Sequence, residues 1–369
     1  MGVKSSKTSA STRAAPIVNS NKADNNKLKK YINIRNSVLF SFDGNNYYNN
    51  VSANIQETWR FTGGGKRIHN IKNLKILPNQ QQHYQNLYQE QLHQRKLIRE
   101  EIERLQRQNN LYKRIWQNAF SSPVEELLKS DEGIRVLEVG CGPGSWITEM
   151  SETYSTSSFT GVDFSPMIFP EEKKPDNVKF IQANILDGLP FLDDTFDFVN
   201  MRLMVTAFTA TEWEEKVIPE LVRVTRQGGY IELMESDIQY SNEGPIAQRL
   251  TDALLPFMKS KGVIAPINTY VLQSLLSNTQ LAKDIKTEEK SCFLGKWAGE
   301  LGELVSWNAV KLPMSTLMRI KSHDYDDIVN NFGKEVEQYK TYFKTWRFSI
   351  QKVSAARSSS ITTPSPWQN

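Results

Sequence analysis

Cysteine is scarce in this sequence. The 369 residues contain two, Cys141 and Cys292, which is too few for a disulfide framework or a thiolate metal cluster. Four scattered histidines supply no ligand set either, so no metal is expected. Long apolar runs are also missing. No stretch reaches the roughly 18 to 20 residues that a membrane span requires, and the N-terminus has no apolar signal-peptide core. These absences predict a globular protein that stays inside the cell. An excess of one charge is missing from most of the chain as well. Residues 1–30 carry seven Lys or Arg against Asp24, so the whole chain's +4 leaves the remainder at −2. The globular part therefore has no direct nucleic-acid signature.

The basic residues belong to a Ser/Thr/Asn/Lys-rich arm, residues 1–30, which cannot bury a core and is expected to be disordered. At its start, Met1-Gly2-Val3-Lys4-Ser5-Ser6-Lys7 fits an N-myristoylation pattern with Gly2 as acceptor. A chance match is the alternative reading of so short a pattern. One acyl chain anchors marginally, so Lys4, Lys7 and Arg13 would supply the second signal for a weak, reversible membrane contact.

Residues 31–78 are Asn-rich, with turn signals at Asp43-Gly44 and Gly63–Gly65 and enough apolar residues, Trp59 and Phe61 among them, to dock on a neighbour. Lys66 beside those glycines does not make a Walker motif, because no buried strand precedes it. From Gln80 to about Phe120 there is no Pro or Gly, and Tyr84, Tyr88, Leu92, Ile98, Ile102, Leu105, Ile115 and Trp116 recur at near-helical spacing. This predicts two helices broken at Asn109-Asn110, forming a lobe or lid within residues 31–125. A low-complexity glutamine tract and a coiled-coil partner are the other readings of that stretch.

The stretch that organises the chain is Val136–Trp146, VLEVGCGPGSW. Ile134, Val136, Leu137 and Val139 read as a buried strand, and Gly140, Gly142 and Gly144 as the turn that follows it. Glycine accepts positive φ and admits a ligand close to the backbone, so strand, turn and helix predict a nucleotide-type site. Further strands are expected at 159–164, 178–185, 196–203, 229–235, 283–294 and 346–353, alternating through most of that span with helices, as in a parallel doubly wound sheet. Within residues 206–227 a helix, ATEWEEKVIPELVRVTRQ, would end at Gly228-Gly229. Ligands of such sheets lie at the carboxyl ends of the strands, where Glu138, Asp163, Asn184 and Asn200 fall. Asp163 follows Gly144 by 19 positions, suited to accepting hydrogen bonds from two ribose hydroxyls; a helix N-cap is its bland alternative. The glycine spacing is not the GxGxxG of dinucleotide enzymes. Glu235 and Asp237 end a strand near the expected acceptor cleft, where solvated acids are the simpler reading than a catalytic base.

VLEVGCGPGSW, GVDFS, FIQANILDGLPF with FDFVNMR, and ELVRVTRQGGYIELME resemble, in order, the motifs of class I S-adenosylmethionine-dependent methyltransferases. Leu77-Pro78-Asn79 and LGKWAGELGEL at Leu294–Leu304 bring the chain closer to fungal methyltransferases related to nuclear regulators of secondary metabolism, over roughly residues 58–353. The resemblance implies a Rossmann-like α/β fold with a seven-stranded sheet of order 3-2-1-4-5-7-6 and an antiparallel strand 7. It implies a methyltransferase domain over 126–354, S-adenosyl-L-methionine as cofactor, and a cytoplasmic or nuclear protein that transfers a methyl group to an acceptor the sequence does not identify; the Ser/Thr/Pro-rich tail, 355–369, is expected to be disordered from its composition.

The resemblance also assigns roles. Gly140, Cys141, Gly142 and Gly144 would approach the methionine part of the cofactor, with Glu138 holding its amino group. Asp163 would take the ribose, Phe164 would pack on adenine, Asn184 would face the adenine amino group and Ile185 would flank the base. Met201 would line the sulfonium, and Asn200 and Arg202 would face the acceptor. The relatives carry Arg and Gln-His in the helix after Leu-Pro-Asn, and here those positions read Asn86 and Glu90-Gln91. No signature marks a general base, and oligomeric state is not readable. Against the enzyme stands a second expectation, a non-catalytic cofactor-binding or interaction protein that retains the fold.

Overall fold

A computed structural model describes residues 81–170, 174–237, 239–260, 262–263, 282–310 and 322–353. The expected basic arm with Gly2, the segment 31–78 and the tail lie outside the described residues.

The first element is one helix, α1 (Gln81–Trp116), 36 residues long and so about 54 Å from end to end. The expected break at Asn109-Asn110 does not occur. Asparagine is a weak helix former but not a breaker, and the turns after it are pinned by Leu111, Tyr112, Ile115 and Trp116, all buried. Asn109 is itself held, its Oδ1 accepting from Arg202 Nη1 at 3.0 Å. The helix stops at Gln117, which takes a left-handed φ of 61°.

A short helix α2 (Glu125–Lys129) leads to β1 (Arg135–Val139), α3 (Ser145–Thr153), β2 (Ser158–Asp163), β3 (Val178–Gln182) and β4 (Phe196–Arg202). Helix α4 runs from Ala210 to Val224 with a π-helical turn at Trp213–Val217, just before Pro219. The remaining elements are β5 (Thr225–Ser236), α5 (Pro245–Ser260), β6 (Ala282–Phe293), α6 (Gly299–Val310), α7 (Ser322–Tyr339) and β7 (Tyr342–Lys352). Helix α4 ends three residues earlier than expected. Thr225 is already extended, its Oγ1 donates to Leu221 O at 2.7 Å, and Gly228-Gly229 turn the chain inside the start of β5 instead of capping the helix.

The seven strands form one sheet of order β3-β2-β1-β4-β5-β7-β6, with β7 antiparallel to both neighbours. One core packs on the face carrying Leu137, Val139, Val199, Met201, Ile231 and Leu233, closed by Trp213 and Leu221 of α4. On the other face a second cluster gathers Val136, Trp146, Phe159 and Phe198, and a third joins the end of α1 to Met234, Cys292, Phe332 and Phe343. That face also carries a polar row, Glu138, Asn200 and Glu232, in register across β1, β4 and β5 and each at most 2% exposed. No described helix is long and apolar enough to cross a membrane, and no metal-binding cluster occurs among the described residues.

Candidate functional site

The glycine turn leaves β1 with three left-handed residues, Gly140 (φ 71°), Gly142 (57°) and Gly144 (75°). Each would be strained as any other residue. Space matters too at two of them: a Cβ on Gly140 would lie 2.6 Å from Met204 Sδ, and one on Gly144 would collide with the Phe180 ring. The turn is tied to β2, because Gly140 and Cys141 both donate their N–H to Val162 O, at 2.8 and 3.0 Å. Cys141 is buried, its sulfur lying over Gly161 where a Cβ would come within 2.9 Å.

Asp163 ends β2 beside this turn. One carboxylate oxygen accepts from Gly142 N at 3.0 Å and the other from Ser165 N at 2.9 Å, so it both fixes the glycine turn and caps the next one. Phe164 follows it, half-buried, and its carbonyl accepts from Gln182 Nε2 at 3.2 Å. Asn184 caps a single 3₁₀ turn over 185–187: its Oδ1 accepts from Leu186 N at 3.1 Å and its Nδ2 donates to Asp187 Oδ2 at 2.9 Å. Ile185 turns into the main core.

Glu138 lies one strand over, 2% exposed, with Oε1 accepting from Arg202 Nη2 at 2.8 Å. Burial pushes this carboxyl above its ordinary range, and Arg202 pulls against the shift. Arg202 is enclosed by Glu138, by Asn109 of α1 and by the Trp146 ring, whose centroid is 5.4 Å away. The structure thus joins residues of four elements, α1, β1, α3 and β4. Asn109 and Trp146 were not visible as site residues, because the first read as a helix break and the second only as the end of the VLEVGCGPGSW stretch.

Glu138 Oε2 and both amide atoms of Asn200 are buried without a hydrogen-bond partner. Asn200 is 1% exposed between Glu138 and Glu232, so it lies buried within that polar row. Glu232 is satisfied: it accepts from the N–H groups of Ser121 and Ser122 at 2.8 and 2.7 Å, and Arg347 Nε stands 3.7 Å off. Met201, by contrast, is wholly buried in the core on the opposite face of β4 from Asn200 and Arg202.

Glu235 is not a solvated strand-end acid. It is fully buried, and its two oxygens accept from the N–H groups of Met204 and Val205 at 2.9 and 3.1 Å. Burial pushes its carboxyl up to about 8. Asp237 is half-buried and accepts from Gln239 N at 3.2 Å. The rest of α1 passes over the turn, with Leu105 3.6 Å from a Cβ built on Gly142. Asn86, Glu90 and Gln91 belong to that helix, and their side chains lie outside the described residues.

A mostly parallel sheet with this strand order, a left-handed glycine turn after β1 and buried carboxylates near the ends of β1 and β2 make an α/β domain suited to an adenosine-type ligand. Residues 136–229 match the family model described as a methyltransferase domain. N-methyltransferase sirN of Leptosphaeria maculans is 31% identical over 139 residues, covering 37% of this chain and 47% of its own length. The secondary metabolism regulator laeA of Coprinopsis cinerea is 29% identical over 141 residues, covering 37% and 34%. Among solved structures, phosphoethanolamine N-methyltransferase 2 of Haemonchus contortus in complex with S-adenosyl-L-methionine aligns at 15% identity and a TM-score of 0.42, over 66% of this chain and 56% of its own. The chain spans less than half the length of these two relatives matched by sequence. Over residues 136–229 it carries a methyltransferase domain, set in the sheet described above, with S-adenosylmethionine as cofactor.

Proposed function

We propose that this chain transfers the methyl group of S-adenosylmethionine to a neutral nucleophile, with an amine nitrogen as the first candidate. The observation that supports it is the buried Glu138 Oε2, without a hydrogen-bond partner and two residues before the tethered glycine turn, in register with the unpaired Asn200 amide. An unpaired buried polar group costs about 1–3 kcal/mol, and groups of this kind call for a partner that completes them. The donor set fits the cofactor. Glu138 Oε2 would receive the ammonium group, the glycine turn would flank the methionine portion with Cys141, and Asp163, acceptor-only when ionised, would take the ribose hydroxyls. Phe164, half-buried beside Asp163, would cover the adenine, with Asn184 and Ile185 at its edge.

When bound, the cofactor supplies an electrophilic methyl group on a sulfonium. The chain's share of the work is alignment and exclusion of water. Arg202, fixed between Glu138, Asn109 and Trp146, keeps the turn and helix α1 in one arrangement. An acceptor that needs no deprotonation agrees with the sequence, since no histidine occurs between residues 94 and 322. Relatives described as N-methyltransferases support a nitrogen acceptor.

The test is S-adenosylmethionine labelled in its methyl group, incubated with the protein and a cell extract. Label transferred by the wild type and lost in Asp163→Ala supports the reading. Binding without transfer would favour a non-catalytic cofactor-binding protein. Two buried cysteines that are not joined in a disulfide agree with an intracellular setting. Weak membrane contact through the seven cations of residues 1–30 is a separate reading. It fails if anionic vesicles do not retain the protein and Gly2→Ala changes neither acyl labelling nor partitioning.

A further inference from the structure

Glu235 differs from the other two buried glutamates of the central strands, Glu138 and Glu232. Glu138 and Glu232 each have an arginine partner, whereas both oxygens of Glu235 are held by backbone N–H groups alone, those of Met204 and Val205. Its own carbonyl accepts from Thr345 Oγ1 at 2.8 Å, which ties it to β7. The backbone it holds is strained. Leu203 sits at φ 56°, a conformation that L residues rarely take, and its N–H donates to Met234 O at 2.8 Å. Strain of this kind persists only where surrounding contacts over-determine it. The next side chain, Met204, is 8% exposed and lies against Gly140, with its sulfur 2.6 Å from where a Cβ on that glycine would stand.

We propose that Glu235 is a positioning residue for the cofactor site: it fixes the strained segment 203–205, and through Met204 it holds the glycine turn at Gly140 in its binding shape. This rests on the reading of that turn as the S-adenosylmethionine site. The path is short: Glu235, Met204 and Val205 are buried, and Leu203 and Gly140 half-buried. Glutamine in place of Glu235 can accept one of the two N–H groups but turns an NH₂ toward the other. That segment would then relax, and Met204 with it. A shorter side chain at Met204 would free Gly140 directly, whereas leucine has nearly the same volume.

The test uses the full-length chain, with S-adenosylhomocysteine binding followed by calorimetry and folding followed by circular dichroism. Glu235→Gln and Met204→Ala should each weaken binding by about tenfold, the equivalent of one lost hydrogen bond of about 1.4 kcal/mol. Met204→Leu should stay within about threefold of wild type. The double variant Glu235→Gln/Met204→Ala should bind no more weakly than the worse single one, because both act on the same contact. Glu335→Gln is the matched control. That carboxylate is also buried and accepts from two backbone N–H groups, Ile246 and Ala247, both at 2.8 Å, but at the start of α5, away from the turn. It should cost stability and leave affinity unchanged. Wild-type affinity in Glu235→Gln, additive losses in the double variant, or an equal loss in Glu335→Gln would overturn the proposal. Wild-type protein that does not bind the probe would instead overturn the reading of the site on which the proposal rests.

Discussion

Replacing Glu235 by glutamine should change how stability depends on pH, and the structure gives both the sign and the size. The carboxyl of Glu235 titrates near 8 in the folded protein, above its ordinary 4.5, because burial penalises the charge and no cation compensates it. The folded state therefore holds the proton more tightly than the unfolded state does. Stability carried by this group is complete below pH 4.5, falls as pH rises from 4.5 to 8, and levels off beyond. The slope for one proton is about 1.4 kcal/mol per pH unit, so wild type should lose about 4 kcal/mol between pH 5 and pH 8 from this group alone. Glutamine has no proton to lose and removes that slope, while leaving one backbone N–H unpaired at a cost of about 1–3 kcal/mol. The variant should be the less stable protein at pH 5, and the difference should close or reverse by pH 9. The assay is thermal unfolding of both proteins at pH 5, 7 and 9. At about 2 °C or more per kcal/mol, the melting difference should move by about 8 °C in favour of the variant. Glu138 and Glu232, also raised by burial, titrate in both proteins and cancel in the subtraction. Parallel curves for the two proteins would refute the burial argument.

Three further outcomes follow from the same contacts. S-adenosylhomocysteine at about 100 times its Kd should stabilise wild type by about 2.7 kcal/mol, a shift of at least 5 °C, and Asp163→Ala should abolish it; an equal shift in both would displace the ribose role. Arg202→Met leaves Glu138 buried without its cation and should cost about 3–5 kcal/mol, whereas adding Glu138→Gln should recover much of that loss, as read by denaturant unfolding. Gly144→Ala meets both a left-handed φ and the Phe180 ring, so it should destabilise the fold by more than the ~1 kcal/mol of backbone strain alone and weaken cofactor binding in the same titration.

The strand positions and the glycine turn were legible in the sequence because they rest on local regularities, whereas the sheet order came only with the family resemblance. Apolar runs of period-appropriate length mark strands, and glycines at 140, 142 and 144 mark a backbone that must go left-handed. The same local logic misjudged Asn109-Asn110, where helix propensity said break. Tertiary contact decided otherwise: Arg202, 93 positions away, takes the Asn109 side chain, and the buried end of α1 holds the turn. It also misjudged Glu235. A strand-end acid looks solvated in sequence, and only the fold brings the N–H groups of Met204 and Val205 to it and closes water out.

The sequence by itself determined the order of strands and helices, the place of the ligand turn and the acids at the ends of β1 and β2, since each is set by neighbours in the chain. Only the tertiary structure decided which polar groups are buried, which of them are paired and which await a partner. Burial and pairing depend on residues that meet from distant segments, as Glu138, Arg202, Asn109 and Trp146 do here, and no local pattern encodes those meetings.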